Sequence, residues 1–141
     1  MASKRVLAFD FGASSGRAIL ATYTDGKIAM QEIHRFSNDP VNLCGTLYWD
    51  VQRLFFEIKQ GITKAVHQGG FDAIGIDTWG VDFGLLDAHG QLVANPVHYR
   101  DERTVGMMEK AYEKVPQQEL YDRTGIQLMR LNTVFQLVSL V

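Results

Sequence analysis

The sequence predicts an α/β fold that opens with a three-stranded antiparallel meander and continues with a helix, further strands and further helices. Two turn-forming clusters, at residues 12–16 and 25–26, divide residues 5–36 into three extended runs and so predict the meander. Apolar residues then recur at helical spacing between residues 51 and 66, which predicts the first helix.

The three strands of the meander follow from composition and turn chemistry. Residues 5–11 are a nearly continuous apolar run, which is typical of a strand buried on both faces. Residues 17–23 resume an extended pattern after the glycine-rich turn. The Asp-Gly pair at 25–26 is a strong two-residue hairpin signal, and residues 28–36 form the third strand.

The first helix is predicted from its cap and its apolar stripe. Residues 37–48 contain Asn-Asp-Pro and a glycine, so they predict a loop. Asp50 can cap the helix that follows, and the glycine pair at 69–70 ends it. The residues of the stripe are Val51, Leu54, Phe55, Ile58, Ile62, Ala65 and Val66.

The remaining sequence predicts alternating short strands and helices. A turn at residues 87–90 separates two of the extended runs. The predicted strands cover residues 73–76, 81–86 and 91–94. The predicted helices cover residues 103–115, where Pro116 interrupts, 117–123 and 133–141.

Composition restricts the class of protein and its partners. The 141 residues are 46% hydrophobic and 21% charged, the balance of a globular domain, and their net charge is −2. This charge offers no basic surface for nucleic acid and no polybasic patch for a membrane. Asp10 interrupts the first apolar run, and no run approaches the roughly 18 residues of a membrane span. We therefore expect a soluble cytoplasmic protein.

The cysteine count excludes two kinds of structural cross-link. The single cysteine, Cys44, cannot form an intramolecular disulfide or a cysteine-based zinc site. His34, His67 and His89 fall on a predicted strand, helix and turn without the spacing of metal ligands. We interpret these histidines as structural or surface residues.

The first candidate site is the turn from Asp10 to Arg17. A carboxylate at the end of a buried strand needs a partner, and a divalent cation is one such partner. The small residues of the turn let backbone N–H groups approach a phosphate, and Arg17 can offset phosphate charge. The structural alternative is a glycine-rich hairpin turn in which Asp10 caps its own loop, and the residues alone leave both interpretations open.

Residues 12–16 also match the G-x-S-x-G pattern of a hydrolase nucleophile elbow. That motif requires a helix after the serine, whereas residues 17–23 predict a strand. The pattern therefore favours a hairpin loop over a nucleophilic Ser14. No Walker A sequence and no G-x-G-x-x-G occur in the chain.

The second candidate site is the segment from residue 75 to residue 83. Asp77, Thr78 and Asp82 gather at the end of a predicted strand, beside a tryptophan and an uncluttered glycine. Such a group suits a small polyol ligand. Periodicity alone favours the structural alternative, in which the aspartates form turns and Trp79 belongs to the core.

The third candidate site is the polar run from residue 98 to residue 104. Arg100 and Asp101 could bind a network of sugar hydroxyls. Asp101 could equally cap a solvated helix whose charges pair internally. Both interpretations stay open on the residues alone.

Together these segments resemble the FGGY carbohydrate kinases, within the actin–hexokinase–Hsp70 superfamily. Residues 9–17 are similar to the first phosphate-binding hairpin of that family. Residues 75–83, with 99–101 and 124–127 behind them, narrow the resemblance to its rhamnulose branch. The resemblance runs from about Val6 to the last residue, and it implies an RNase H-like α/β subdomain with a mixed sheet.

The resemblance also implies a reaction and its site. The reaction is ATP-dependent phosphorylation of L-rhamnulose on its 1-hydroxyl, in the breakdown of L-rhamnose, with ATP and Mg²⁺ as cofactors and a small sugar as substrate. By this resemblance Asp10 serves the magnesium–phosphate centre, and Gly80 lines the sugar pocket with Trp79 beside it. The implied ATP-phosphate residues are Ala13, Ser14, Ser15, Gly16 and Arg17. The other implied sugar-site residues are Thr78, Asp82, Arg100 and Asp101.

The pair Trp79-Gly80 bears on the choice of sugar. Related kinases for other sugars carry larger polar or charged residues at these positions. A Trp–Gly pair leaves an apolar wall, which suits the methyl group of a 6-deoxy ketose. Two alternatives remain: a kinase of the same family for xylulose, fuculose or a gluconate, and a non-catalytic α/β module for binding or assembly.

The length of the chain differs from that of the family, whose members have two lobes with nucleotide and sugar in the cleft between them. The resemblance implies that residues 1–141 are a partial amino-terminal domain, and that the catalytic base, the rest of this domain and the second lobe lie beyond Val141. The chain alone should be nearly inactive, because phosphoryl transfer needs parts from both lobes. The last predicted helix has no stop signal, and we expect its apolar stripe to be exposed and to cause self-association. The stripe consists of Val134, Leu137, Val138 and Val141.

Overall fold

The computed structural model describes residues 3–141, which divide into two compact units. The first unit comprises residues 3–39 and 50–80, and the second comprises residues 40–49 and 81–141. The strands are β1 (Lys4–Phe11), β2 (Ser15–Thr24), β3 (Lys27–Ser37), β4 (Val41–Leu43), β5 (Thr46–Tyr48) and β6 (Ala73–Asp77). The helices are α1 (Val51–His67), α2 (Met107–Tyr112), α3 (Gln117–Thr124) and α4 (Thr133–Val138). Within the described residues, no helix has the length and apolar character that a membrane crossing requires.

The first unit contains a four-stranded sheet in the order β3-β2-β1-β6. β1, β2 and β3 form the predicted antiparallel meander, and β6 lies parallel to β1. Asp25 and Gly26 form the second hairpin turn with φ values of 52° and 77°, as an Asp-Gly turn of type I′ requires. The predicted meander and the mixed α/β sheet are confirmed.

One face of this sheet forms the core of the first unit. Leu7, Phe9 and Phe11 alternate along β1 and are buried in a cluster that includes Ala65 of α1. On the opposite face Val6 remains 37% exposed. The prediction that β1 is buried on both faces is therefore correct for one face only, because α1, the helix of this unit, packs against one side of the sheet.

Helix α1 begins where the sequence predicts. The Arg53 backbone N–H donates to Asp50 Oδ1 at 2.9 Å, so Asp50 caps the helix. The predicted stripe is wrong at Phe55 and Val66, which are more than half exposed. The members of the stripe that do pack on the core are Leu54, Ile58, Ile62 and Ala65.

Two residues outside the stripe determine which face of α1 packs against the sheet. A Cβ at Gly61 would lie 2.6 Å from the Phe9 ring, so this glycine allows helix and strand to approach closely. Glu57 is 2% exposed and lies 2.6 Å from His34 Nε2 of β3, and Arg53 Nε donates to it at 2.5 Å. The spacing of apolar residues gives no information about a close helix–strand contact or about a buried carboxylate and its partners. For this reason the sequence predicts the wrong buried face of α1.

In the second unit, two segments have a different secondary structure from the one predicted. Residues 41–48, predicted as a loop, include the hairpin β4–β5, whose turn residues Cys44 and Gly45 have φ values of 52° and 88°. Residues 81–86 and 91–94, predicted as strands, contribute one isolated antiparallel bridge, between Leu86 and Leu92. Short apolar runs do not by themselves distinguish a strand from a packed irregular segment.

The single helix predicted over residues 103–115 is wrong. Gly106 adopts a φ of 75° and separates a 3₁₀ turn at Glu102–Thr104 from α2. α3 agrees with the prediction, since it follows Pro116 and ends at Gly125. The left-handed backbone at Gly106 interrupts the helical hydrogen bonding that the apolar spacing suggests.

Helix α4 buries residues outside its predicted apolar stripe. It buries Phe135 and Gln136, and the Gln136 amide nitrogen donates to Leu131 O at 2.9 Å and to Val81 O at 3.3 Å. The apolar stripe of this helix is half-buried or exposed, which agrees with the expectation that it lacks partners within this chain. Its residues are Val134, Leu137, Val138 and Val141.

Candidate functional site

The first candidate site is the loop that joins β1 to β2. The Gly12 N–H donates to Ser15 O at 3.0 Å and closes the loop. Asn38, directly after β3, holds the loop from the side, since its backbone N–H donates to Ser14 O at 3.0 Å and its Nδ2 to Gly12 O at 2.7 Å. Asn38 is only 4% exposed. Asn38 therefore holds the loop at two points, at Gly12 through its side chain and at Ser14 through its backbone N–H.

Sequence analysis misses Asn38, because the stretch that contains it predicts only a loop. Its side-chain bond to Gly12 spans 26 positions of the chain. The register of the meander is the signal that could have found it. Ser37 pairs with Ser15, so the residue after Ser37 must lie beside the first turn.

Close contacts require glycine at positions 12 and 16, at the two ends of this loop. A Cβ at Gly12 would lie 2.9 Å from Ser15 O, and a Cβ at Gly16 would lie 2.1 Å from the Phe36 ring. Both distances are shorter than a van der Waals contact allows. The small residues therefore bring the backbone of the loop against its own neighbours, and larger residues would push it apart.

The tip of the loop presents backbone donors. Among residues 3–141, no acceptor takes up the N–H of Ala13 or of Ser14. Ser14 is exposed, and Ala13 and Ser15 are half-buried. Successive backbone N–H groups at a turn, with serine hydroxyls beside them, form the kind of concavity that binds anions.

The base of the loop carries an ion pair. Asp10 and Arg17 face each other across β1 and β2, and both Nε and one terminal nitrogen of Arg17 lie 2.8 Å from Asp10 Oδ2. Each side chain is 44% exposed. The carboxylate that the sequence proposes for a cation thus already holds a cationic group of the protein.

Asp10 and Arg17 belong to a row of charges across the outer face of the sheet. Asp77 of β6 pairs in register with Asp10, and Arg35 of β3 pairs in register with Arg17. Arg35 is bound by Glu32 through two hydrogen bonds of 2.9 and 2.6 Å. The hydrogen bond from Arg35 lowers the pKa of Glu32, and Glu32 in turn raises the pKa of Arg35, so each side chain favours the charged form of the other.

The second candidate segment ends the first unit. Trp79 is half-buried and packs against the core cluster, whereas Thr78 and Gly80 are exposed. A Cβ at Gly80 would meet no atom within 4 Å in the described chain. Packing does not demand glycine at this position, so the open space beside Trp79 is compatible with the predicted apolar wall.

Asp82 lies in the second unit, where its carboxylate is shared by several donors. Trp49 Nε1 donates to Oδ2, and the Tyr99 backbone N–H donates to the same oxygen at 3.2 Å. Gln136 Nε2 donates to Oδ1 at 2.8 Å. These donors come from three distant parts of the sequence, so Asp82 is an organising residue of this unit.

Asp101 is buried and Arg100 is exposed. Asp101 is 6% exposed and accepts from the Leu47 N–H at 2.8 Å and from the Arg103 N–H at 2.9 Å, so it caps the 3₁₀ turn. The Arg100 guanidinium lies over the Tyr99 ring at 5.3 Å and is available to solvent. Asp101 and Arg100, which are adjacent in sequence and were both predicted as sugar-site residues, therefore have different environments.

His98 is a buried residue to which the sequence assigns no role of its own. It lies between the rings of Trp49 and Tyr99, at centroid distances of 4.0 and 4.5 Å, and its Nδ1 accepts from the Arg100 N–H at 3.0 Å. Within the described residues its Nε2 has no hydrogen-bond partner. Burial lowers the pKa of His98 below its ordinary value, despite the opposing charges of Asp82 and Asp101.

The structure assembles the predicted phosphate residues in one place. Asp10 and Arg17 are bonded to each other at the base of the loop whose tip is residues 13–15. The predicted sugar residues divide between the units: Thr78, Trp79 and Gly80 belong to the first, and Asp82, Arg100 and Asp101 to the second. Their roles stay predictions.

Comparison with known proteins gives relatives along the whole chain. It is 46% identical to "Rhamnulokinase" of Klebsiella pneumoniae (strain 342) over 144 aligned residues, which cover 100% of the chain and 30% of that protein. It is 43% identical to "Rhamnulokinase" of Bacteroides thetaiotaomicron, over 94% of the chain and 28% of that protein. The chain thus spans about 30% of the length of the curated relatives it matches.

Solved structures show the same fold at low identity. A gluconate kinase from Lactobacillus acidophilus superposes with a TM-score of 0.80 at 17% identity, over 99% of the chain and 28% of that structure. A xylulose kinase from the same organism gives a TM-score of 0.78 at 18% identity, over 97% of the chain and 28% of that structure. The profile of the FGGY family of carbohydrate kinases, N-terminal domain, matches residues 5–141. The chain therefore belongs to the FGGY family of carbohydrate kinases and comprises sequence of its amino-terminal domain.

Proposed function

We propose that this chain supplies the phosphate-binding hairpin of a kinase that transfers the γ-phosphoryl group of ATP to the 1-hydroxyl of L-rhamnulose. The β1–β2 loop carries the proposal. Its backbone is fixed by Asn38, its tip presents the amides of Ala13 and Ser14, and its base presents Arg17. Amides and a guanidinium around one loop are suited to the oxygens of a transferred phosphoryl group.

The residues at the loop also fit a magnesium ion. The Asp10 carboxylate is a hard oxygen ligand, is 44% exposed and already neutralises a positive group. No three His, Cys, Asp or Glu side chains cluster as a metal site within residues 3–141, so Asp10 would share the ion with phosphate oxygens and water, as is usual for Mg²⁺. Bound there, the ion would offset negative charge on the phosphates.

The proposed specificity for L-rhamnulose depends on the pair Trp79-Gly80. The indole is packed against the core and the glycine leaves open space, so the pair offers a largely apolar wall. This wall suits the methyl end of a 6-deoxy ketose, and the relatives at 43–46% identity bear the name rhamnulokinase. We propose Thr78 as a polar sugar-binding residue beside this wall in the first unit, and Asp82, Arg100 and Asp101 as sugar-binding residues of the second unit.

The proposal assigns catalysis to a longer protein. The relatives are more than three times as long as the aligned region, and phosphoryl transfer depends on positioning the acceptor hydroxyl as well as the phosphates. We propose that the general base lies outside these 141 residues, and that the chain alone turns over little substrate. A cytoplasmic location, where ATP is abundant, belongs to the same proposal.

The test is the rate of L-rhamnulose phosphorylation by a full-length kinase that carries this sequence as its amino-terminal part. We expect Asp10→Ala to lower kcat by about a hundredfold or more, because it removes charge organisation at the phosphates. Asp122→Ala changes a carboxylate on the exposed face of α3 and serves as the matched control. An unchanged rate in Asp10→Ala would contradict the role of this carboxylate.

Competition between sugars tests the substrate. L-rhamnulose, xylulose, fuculose and gluconate at equal concentrations should be phosphorylated with a preference for L-rhamnulose. A preference for a sugar without the 6-deoxy methyl group would favour another kinase of the family. Tight binding of ATP and sugar by the full-length protein without turnover would favour a non-catalytic binding module.

A further inference from the structure

We propose that Arg17 occupies the cation's place on Asp10 until phosphate and a divalent cation arrive together, and that the two residues then exchange partners. In this exchange Asp10 gives up the guanidinium and takes the cation, while Arg17 turns to the phosphate oxygens. The inference rests on the proposed function, since it assigns both ligands to the same loop. It adds that binding of the two ligands is coupled through one ion pair.

The geometry of the pair is the first argument. Two nitrogens of Arg17 converge on a single oxygen, Asp10 Oδ2, each at 2.8 Å. The contact therefore uses the face of the guanidinium that would otherwise bind a phosphate through two parallel hydrogen bonds. While this contact lasts, Asp10 Oδ2 and two of the three guanidinium nitrogens of Arg17 are occupied by each other.

The exposure of the pair is the second argument. Both side chains are 44% exposed at the base of the loop, so solvent and ligands reach them. Exposed ion pairs are weakly held, because water screens them. The Glu57–His34 pair of the same unit is buried and so is better placed to persist, and the exposed Arg35–Glu32 pair uses both carboxylate oxygens.

The neighbours of the pair are the third argument. Asp77 lies beside Asp10 in register, so a departing Arg17 would leave two adjacent carboxylates facing an incoming phosphate. Arg35 lies on the other side of Arg17, but Glu32 holds it through two hydrogen bonds. Phosphate alone would therefore meet repulsion, whereas phosphate with a cation on Asp10 would not.

Coupling follows from these charges. The cation alone must displace Arg17 and leave it unpaired, and phosphate alone must leave Asp10 unpaired. Together the two ligands satisfy both residues, so each raises the affinity for the other, and thermodynamic linkage makes the effect reciprocal.

The experiment observes the two guanidinium groups directly by NMR in a ¹⁵N-labelled full-length kinase that carries this sequence as its amino-terminal part. The Arg17 Nε–H donates to Asp10 and the Arg35 Nε–H donates to Glu32, so each gives a protected cross-peak and Arg35 serves as an internal control. We expect Mg²⁺ with ATP to shift the Arg17 peak and leave the Arg35 peak in place. ATP with EDTA should move the Arg17 peak much less at the same concentration.

Two results would overturn the proposal in distinguishable ways. If the amides of residues 13–15 respond to Mg²⁺ with ATP while the Arg17 peak stays where it was, the hairpin binds phosphate but no exchange occurs. If neither the amides nor the Arg17 peak responds, the assignment of phosphate to this loop is wrong, and the exchange falls with it.

A variant pair gives an independent measurement without nucleotide. Mn²⁺ binding, followed by electron paramagnetic resonance, should tighten on the order of tenfold in Arg17→Gln, because Asp10 no longer holds a guanidinium. Arg35→Gln removes the same charge one strand further away and should change the affinity much less. Equal effects of the two variants would show general electrostatics and would contradict the specific exchange.

Discussion

Asp10 of the first unit and the pair Asp82 and Asp101 of the second unit carry the same side chain in different environments. Asp10, in the first unit, is 44% exposed and bonded to a single side chain, that of Arg17, which is equally exposed. Asp101, in the second unit, is 6% exposed and bonded to two backbone N–H groups, and Asp82 is bonded to a tryptophan, a backbone amide and a glutamine. A carboxylate that an exposed arginine holds can change partner, whereas one that backbone amides hold is part of the fold.

This difference predicts how substitutions separate stability from binding. Removing the carboxylate of Asp82 or of Asp101 should weaken the fold first, because the donors of these two side chains would be left without acceptors. Removing Asp10 should weaken the site first, because its partner can turn to water. The following substitutions test this separation, from the largest expected effect to the smallest.

Asp101→Ala should lower the free energy of unfolding by about 3 kcal/mol, because the N–H groups of Leu47 and Arg103 lose a buried charged acceptor. Urea unfolding followed by circular dichroism measures the change. Asp122→Ala, on an exposed helix face, should cost less than about 0.5 kcal/mol. Similar costs for the two variants would erase the contrast between buried and exposed aspartates.

Gly16→Ala should lower the free energy of unfolding by about 2 kcal/mol, since the new Cβ would lie 2.1 Å from the Phe36 ring and force it aside. Chemical denaturation measures this effect as well. Gly75→Ala, in β6 of the same sheet, is the matched control because a Cβ there meets no atom within 4 Å. If both glycines tolerate alanine equally, the hairpin is not fixed by this contact.

His98 should make stability depend on pH. Its folded pKa lies below the value of 6.5 expected in the unfolded chain, so over the interval between them the unfolded chain binds more protons. The free energy of unfolding should therefore fall as the pH drops below about 6.5, and above that pH the histidine should contribute no dependence. Thermal unfolding at pH values from 5 to 8 measures this slope, with the pH range chosen about the ordinary histidine pKa of roughly 6.5.

His98→Phe keeps an aromatic ring between Trp49 and Tyr99 and should flatten that slope, although it removes the acceptor for the Arg100 N–H. His67→Phe, at the exposed end of α1, should leave the slope in place. A slope that survives His98→Phe would have to come from other groups and would refute this assignment.

Asp10→Asn should have the smallest effect on stability, at most about 1 kcal/mol, because an exposed ion pair contributes little. The same substitution should abolish the Mg²⁺-dependent shift of the Arg17 resonance. Urea unfolding curves measure the change in stability, and the NMR titration measures the loss of the Arg17 shift. A large loss of stability would place Asp10 with Asp101 and end the distinction between them.

Local signals were sufficient for much of the fold. Turn residues and strand patterns predict the meander, and Asp50 marks the start of α1. Contacts between distant residues were not accessible from these signals, and they decide the rest. Gly61 against Phe9 and Glu57 against His34 set the buried face of α1, and Gly106 divides a helix that the apolar spacing predicts as continuous.

The same reasoning applies to the candidate site. The motif of residues 10–17 indicates which side chains share one loop, because they are neighbours in sequence. It does not indicate that Arg17 bonds to Asp10, since that contact depends on strand register. Asn38 was missed for a related reason: a loop residue becomes a support only when β3 brings it next to the first turn.

Asn38 has a consequence for the thermodynamics of ligand capture. By anchoring Gly12 and Ser14, it restricts the conformations of the loop before any anion is present. Association with a phosphate then loses little conformational entropy, because the loop is already ordered. A hairpin organised in this way should associate with phosphate rapidly and with a small change in heat capacity, as a rigid receptor does.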